Sequence, residues 1–233
     1  MGRSADSRDV ANYSALAAYY DELLQDEESL SYWLDYIETE PFDSVLELAS
    51  GSGVMAKILS AKGHAVTASD LSLEMMSASR KNYDGEYLIL NMTDYHLGKQ
   101  YDLVLCICDS INYLETDELD SFFACAAEHL HSGGRLLFDM HHQERLKEFA
   151  EEYVEEDYVC GVPYQWTILS DPEESTLNEH FTFYTAQGMV QEHHTQNVFP
   201  SDVIEEKMKK YFEVQIVEDF IENEKILVIG RKL

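Results

Sequence analysis

The residues of this chain that could do chemistry recur where apolar runs end. The stretch Val45-Leu46-Glu47-Leu48-Ala49-Ser50-Gly51-Ser52-Gly53 passes from an apolar run through a carboxylate into small residues, and a helical pattern begins at Val54. A strand that turns through glycines into a helix offers backbone N–H groups to a nucleotide-like ligand. Gly51 and Gly53 allow that ligand to approach the backbone closely. Asp70 ends the next apolar run about twenty residues on, a spacing suited to ribose hydroxyls. Asn91-Met92, Asp109 and His141-His142 follow three further apolar runs.

Two ligand classes fit the loop. Gly51-x-Gly53-x-x-Ala56 matches the dinucleotide fingerprint in its Gly/Ala form, with Asp70 as the ribose carboxylate. That reading predicts an NAD-dependent oxidoreductase. Glu47 favours the other class: a carboxylate repels a pyrophosphate, whereas it attracts the ammonium and sulfonium charges of S-adenosylmethionine. A third reading keeps a nucleotide pocket without chemistry, as a binding or regulatory module.

The elements that must hold these residues read as strands alternating with helices. Tyr13, Leu16, Tyr20, Leu23 and Leu24, then Leu30, Trp33, Leu34 and Ile37, recur at helical spacing over residues 11–40. These tyrosines either pack onto the sheet or, at Tyr13 or Tyr20, close over a ligand at the glycine loop. Strands are expected at 44–48, 64–69, 86–90, 101–108 and 135–140, with helices between them. Ser72 is the expected N-cap of the helix after Asp70. Cys106 and Cys108 are expected on one strand, facing one side as packed hydrophobes. Asp139 reads as the polar stop of a strand. Residues 143–152 read as helix.

From 153 to 199 the pattern is an antiparallel meander, with β-prone runs at 164–169, 177–185 and 189–199. The acidic run Glu151 to Asp157 reads as a solvated face. A helix over 200–211 and two closing strands, 212–220 and 225–232, complete the chain. The predicted fold is α/β: a doubly wound, seven-stranded, mostly parallel sheet with an N-terminal helical cap and an antiparallel β insertion. The divisions are cap 1–40, core 41–142, lid 153–199 and closing elements 200–233. In such a sheet ligands bind outside the carboxyl ends of the strands, where Glu47, Asp70, Asn91, Asp109 and His141 all fall.

Composition narrows the partners. The chain has 233 residues, 45% of them apolar, and a net charge of −29. That charge argues against nucleic-acid backbones and anionic membranes, and favours solubility. No apolar run is long enough to span a bilayer. The four cysteines show neither a disulfide framework nor paired metal-ligand spacing, which fits a cytoplasmic location. No metal is expected, since neither His141-His142 nor His193-His194 is completed by a clear ligand set, and neighbours on a strand point to opposite faces.

Taken with these residues, the run ending in Glu47 resembles the first motif of class I S-adenosylmethionine-dependent methyltransferases. Ala49 stands where many members have glycine. Asp70-Leu71-Ser72 with Met75-Met76 is similar to the family's ribose-binding strand end. Asn91-Met92 matches an Asp-Met pair beside adenine, and Cys108-Asp109-Ser110-Ile111-Asn112-Tyr113-Leu114 resembles the fourth motif of a bacterial small-molecule subgroup. Tyr13 and Tyr20-Asp21 resemble that subgroup's N-terminal helices, and the meander resembles lids of small-molecule N- and O-methyltransferases. The resemblance implies S-adenosylmethionine as donor and in-line methyl transfer to an O or N atom of a small molecule. It implies donor contacts at Tyr13, Tyr20, Glu47, Ala49, Gly51, Gly53, Asp70, Leu71, Met75, Asn91, Met92 and Asp109. Asp109 and His141 are the catalytic candidates, His141 on position alone.

Overall fold

The computed structural model describes residues 16–24, 27–221 and 224–233. Tyr13, and the Glu222-Asn223 part of the expected closing turn, lie outside them. A 3-10 turn (Leu16–Ala18) leads into helices α1 (Tyr20–Leu24) and α2 (Glu27–Ile37). Strand β1 (Ser44–Leu48) follows, then α3 (Val54–Ala61), β2 (Ala65–Asp70), α4 (Leu73–Ser79), β3 (Glu86–Ile89) and β4 (Tyr101–Cys106). Next come a 3-10 turn (Ser110–Tyr113), α5 (Leu119–Glu128), β5 (Leu130–His141) and α6 (Glu144–Glu148). The insertion is β6 (Tyr153–Val159), β7 (Val162–Asp171), β8 (Thr176–Thr185) and β9 (Gly188–Asn197). The chain closes with α7 (Ser201–Met208), β10 (Phe212–Ile221) and β11 (Lys225–Lys232).

Seven strands form one sheet in the order β10-β11-β5-β4-β1-β2-β3. Strands β1 to β5 pair in parallel, and β11 runs antiparallel between β5 and β10. Both faces are covered, which is why β1 and β4 read as nearly unbroken apolar runs. One face packs Leu46, Val104 and Phe138 under Phe122, Phe123 and Ile204 of α5 and α7. The other packs Val45, Leu103 and Leu137 under Trp33 and Ile37 of α2 and Met55 and Leu59 of α3. Each buried side chain of this size contributes about 1.5–3 kcal/mol, so the sheet is a rigid base for its rim.

The second sheet is antiparallel, in the order β6-β7-β8-β9. It packs through Tyr164, Phe181 and Phe183 onto Leu16, Tyr19 and Tyr20, with Tyr19 stacked on Phe183 at 4.9 Å. The meander has one strand more than the sequence suggested. The acidic run to Asp157 is solvated, as read, but it is also most of β6, an edge strand with little alternation because both faces are exposed. Three other expectations need correction. The helix expected at 143–152 is only α6, and β5 begins at Leu130 rather than Arg135. Strand β4 ends at Cys106, so Cys108 does not share its face; at φ +61° it has left the strand.

Candidate functional site

A cavity of about 1330 Å³ lies at the carboxyl ends of the strands, between the glycine loop and the second sheet. Small-molecule sites usually occupy roughly 300–1,000 Å³, so this space suits two ligands side by side. Its walls include Glu47, Gly51, Asp70, Asp109 and His141 from the core.

The loop is built by β1 running into α3. Ser50 N–H donates to Ser69 O at 2.8 Å, and Gly53 N–H to Ser50 O at 2.9 Å, which folds the turn. Gly51 and Gly53 adopt φ of +52° and +76°, where a side chain is strained. A Cβ on Gly53 would come within 3.3 Å of Ser79 and Tyr83, so α4 packs onto the loop only with glycine there. Ala49 also has positive φ, +49°. The substitution therefore keeps a left-handed backbone at a cost of about 1 kcal/mol.

Glu47 is buried, and the backbone N–H of Ala56 in α3 hydrogen-bonds to its carboxylate. Its Oε2 has no hydrogen-bond partner. Burial, with Asp70 nearby, pushes its pKa up to about 8. An orphaned, buried carboxylate facing a cavity at a helix start fits a ligand that brings its own positive charge. The amino-acid end of S-adenosylmethionine has that charge; the pyrophosphate of NAD has the opposite one.

Asp70 does more than its predicted role. Its Oδ2 accepts from Gly51 N–H and its Oδ1 from Ser72 N–H, both at 2.9 Å, so it pins the loop as well as lining the cavity. Ser72 caps α4 as expected, accepting from Met75 N–H at 3.1 Å. That cap is worth about 1 kcal/mol and buries Met75 at the cavity wall. Leu71 is half exposed and also lines it. Asn91 spends its Oδ1 on Thr93 N–H and Oγ at 3.0 and 2.9 Å, while half-buried Met92 packs toward Cys106. Both line the cavity. Tyr20 lies over the loop, its ring 3.5 Å from where a Gly51 Cβ would stand.

Past Cys106 the backbone is strained. Cys108 and Asp109 are successive left-handed residues, φ +61° and +57°, an arrangement found mainly where function requires it. The turn aims Asp109 at Lys225 of β11, with Oδ2 2.7 Å from Nζ. Asp139 Oδ2 lies 3.1 Å from the same Nζ, and Asp139 Oδ1 accepts from Asp109 N–H at 3.2 Å. Asp139 is fully buried in this ion cluster, not a plain strand stop. Burial alone would raise the Asp109 pKa, but Lys225 and then His141 hold it below the ordinary value; Asp139 stays above its ordinary value because burial outweighs Lys225.

His141 is buried beside this cluster. Its Nε2 meets Gln196 Oε1 at 2.9 Å, and its Nδ1 lies 3.7 Å from Asp109 Oδ1, itself without a hydrogen-bond partner. Gln196 Nε2 faces Asp109 O at 3.5 Å, which fixes the amide orientation. His141 Nε2 is then the protonated nitrogen and Nδ1 the basic one. Asn112 accepts from His141 N–H at 3.1 Å and donates to Asn197 O at 2.5 Å, latching rim to second sheet. Sequence reading missed Lys225, Gln196 and Asn197. Lys225 could have been found only from strand order, because β11 places it opposite His141.

His193 is exposed and His194 buried, on opposite faces of β9 as expected. His194 Nε2 meets Glu192 Oε1 at 2.9 Å. Among the described residues one group, His96, Glu128 and His129, has metal-ligand proximity. It lies outside the cavity wall, and His129 already uses both ring nitrogens, toward Cys125 O at 2.8 Å and Leu97 N–H at 2.9 Å. All four cysteines are free. No helix among the described residues is long and apolar enough to cross a membrane.

Comparison with known proteins agrees with this geometry. Residues 45–134 match the family described as "Methyltransferase domain". The chain is 29% identical over 209 residues to "Putative methyltransferase YqeM" of Bacillus subtilis (strain 168), covering 84% of each chain. Its fold matches the crystal structure of an S-adenosylmethionine-dependent methyltransferase from Clostridium acetobutylicum, with a TM-score of 0.78, 22% identity and coverage of 95% and 98%. It also matches the sugar N-methyltransferase KedS8 from Streptoalloteichus sp., with a TM-score of 0.81, 20% identity and coverage of 100% and 98%. Motif, sheet order and the buried carboxylate before the loop thus agree, and the oxidoreductase reading falls. Residues 45–134 match a methyltransferase domain, and the chain reads as an S-adenosylmethionine-dependent methyltransferase.

Proposed function

We propose that the chain transfers a methyl group to an amine nitrogen of a small polar molecule such as an amino sugar. The observation that carries the donor side is Glu47, a buried carboxylate with an unpartnered oxygen facing the cavity. Glu47 takes the ammonium end of the donor, and Asp70 the ribose hydroxyls. Leu71, Met75, Asn91 and Met92 flank the adenine, with the loop backbone at Ala49, Gly51 and Gly53 beneath. Tyr20 covers the loop, and residues 153–199 serve as the lid over the acceptor. The likeness to a sugar N-methyltransferase favours nitrogen over oxygen.

The donor supplies an electrophilic methyl group on a sulfonium. The amine lone pair forms the new C–N bond as the S–C bond breaks, and the electron pair returns to sulfur. The chain aligns the two partners and excludes water, which accounts for most of the acceleration in such a displacement. The proton released from nitrogen passes to His141 Nδ1, and Asp109 Oδ1, 3.7 Å away, stabilises the imidazolium. Asp109 stays ionised for this because Lys225 holds it.

The test is methyl transfer from isotopically labelled S-adenosylmethionine to a panel of amino sugars and their hydroxyl counterparts, read by mass spectrometry. Label on amines is expected, and label only on hydroxyl acceptors overturns the nitrogen assignment. His141→Gln is expected to lower turnover by about 10²–10⁴. Calorimetry should show S-adenosylhomocysteine binding unchanged in that variant and absent binding of NADH to the native protein.

A further inference from the structure

The second sheet turns one face to the cavity, and its register sets a single row of side chains there. Ile168, Glu179 and His194 stand opposite one another across β7, β8 and β9. One step along, Trp166 stands opposite Phe181, and the two rings stack at 5.3 Å and 15°. All five line the cavity. Glu179 is thus a carboxylate set among Ile168, Trp166 and Phe181, with the imidazoles of His194 and His141 near it.

Its environment differs from that of Glu192 on the same face. Glu192 accepts from Leu16 N–H at 3.0 Å and meets His194 at 2.9 Å, and it is not part of the cavity wall. Glu179 Oε2 accepts from Trp166 Nε1–H at 3.1 Å, and its Oε1 has no hydrogen-bond donor among the described residues. Burial raises the Glu179 pKa, and the charges of His141 and His194 and the Trp166 hydrogen bond offset this only in part. A cation entering the cavity would supply the rest, beside the stacked Trp166–Phe181 pair of the cavity wall.

We propose that Glu179, with the Trp166–Phe181 pair, is an ammonium-binding subsite on the lid that captures the acceptor amine in its cationic form, before deprotonation frees the lone pair for methyl transfer, and selects cationic amines over neutral isosteres. This rests on the reading of the cavity as the site of small-molecule methyl transfer. Glu179 stands on β8 within electrostatic reach of His141 and Asp109, whereas Glu47 stands on β1, so the two carboxylates serve separate ligands. It also gives the acidic composition a local use, since an anionic acceptor would be repelled here.

The experiment titrates the full chain, saturated with S-adenosylhomocysteine, with matched pairs: tyramine against tyrosol, and glucosamine against glucose. Binding is read by calorimetry. At least one amine is expected to bind on the order of tenfold or more tightly than its hydroxyl partner, as a charge-assisted contact requires. Glu179→Gln is expected to bring that amine down to the level of the alcohol, and Glu179→Asp to restore part of the difference. Thermal denaturation of each variant checks its folding. Equal binding of amine and alcohol, no binding of either amine, or a preference that survives in Glu179→Gln overturns the proposal. Should S-adenosylhomocysteine itself fail to bind the native chain, the methyltransferase reading of the cavity fails. Donor-product binding with an unaltered amine preference in Glu179→Gln removes this subsite alone.

Discussion

Glu47 and Asp139 are buried carboxylates on one sheet rim, with half-buried Asp109 beside Asp139, and the protein treats the two places in opposite ways. Asp109 and Asp139 share a lysine, Lys225, within 2.7 and 3.1 Å. Glu47 has a helix N–H and no cation, and burial pushes its pKa up to about 8. The first arrangement has a cation of the chain's own, Lys225. The second is open, and its balance comes from a ligand. A buried carboxylate without a cation is costly to keep, so its presence marks the place where a cation is to bind.

The comparison breaks most visibly at Lys225. Lys225→Met would leave Asp109 and Asp139 side by side with no counter-charge. Removing one member of a buried ion cluster typically costs 3–5 kcal/mol, a fall in melting temperature of about 6–20 °C for a chain of this size. Thermal denaturation measures this, and a fall below about 2 °C would show that Lys225 does not stabilise the cluster.

Glu47→Gln should act with two opposite signs. Loss of the charged contact is expected to weaken S-adenosylhomocysteine binding by about 10–100-fold. The ligand-free protein should become more stable at pH 8. Because the folded chain holds the Glu47 proton up to about pH 8, against an ordinary value of 4.5, the folded state binds more protons across that window. Its stability therefore falls as pH rises from 4.5 to about 8, by a few kcal/mol from this group, and is undiminished by it below pH 4.5. Melting curves from pH 5 to 8.5 should show a shallower decline in the variant. An equal decline in both proteins would remove Glu47 as the source.

A smaller effect is expected at Ala49. Ala49→Gly relieves the left-handed alanine but loosens the unfolded chain, for a net gain on the order of 0.5–1 kcal/mol. Chemical denaturation resolves this, and a net loss would mean that the methyl group packs usefully in the loop.

Much of this was readable from the sequence because it is local. Glu47, the glycines and Asp70 lie within one strand–turn–helix–strand unit, where apolar runs and turn residues fix where each side chain falls. The alternation of strands and helices likewise announces the parallel sheet. Lys225, Gln196 and Asn197 were not readable, since each reaches the site through pairing or packing with distant parts of the chain. Strand β6 was hidden for another reason: an edge strand exposed on both faces carries no alternating pattern. Asp139 looked like a strand end because nothing nearby in sequence shows the lysine that meets it.

The separation between Asp139 and Lys225, 86 residues, has a consequence for how the protein folds. The whole second sheet lies between them, so their contact closes a long loop and gains little from local order. Until β11 docks against β5, Asp109 and Asp139 have no shared cation. The acceptor side of the site is therefore complete only when the last strand is in place. Docking of β11 is then the step that supplies the cation by which Asp109 stays ionised.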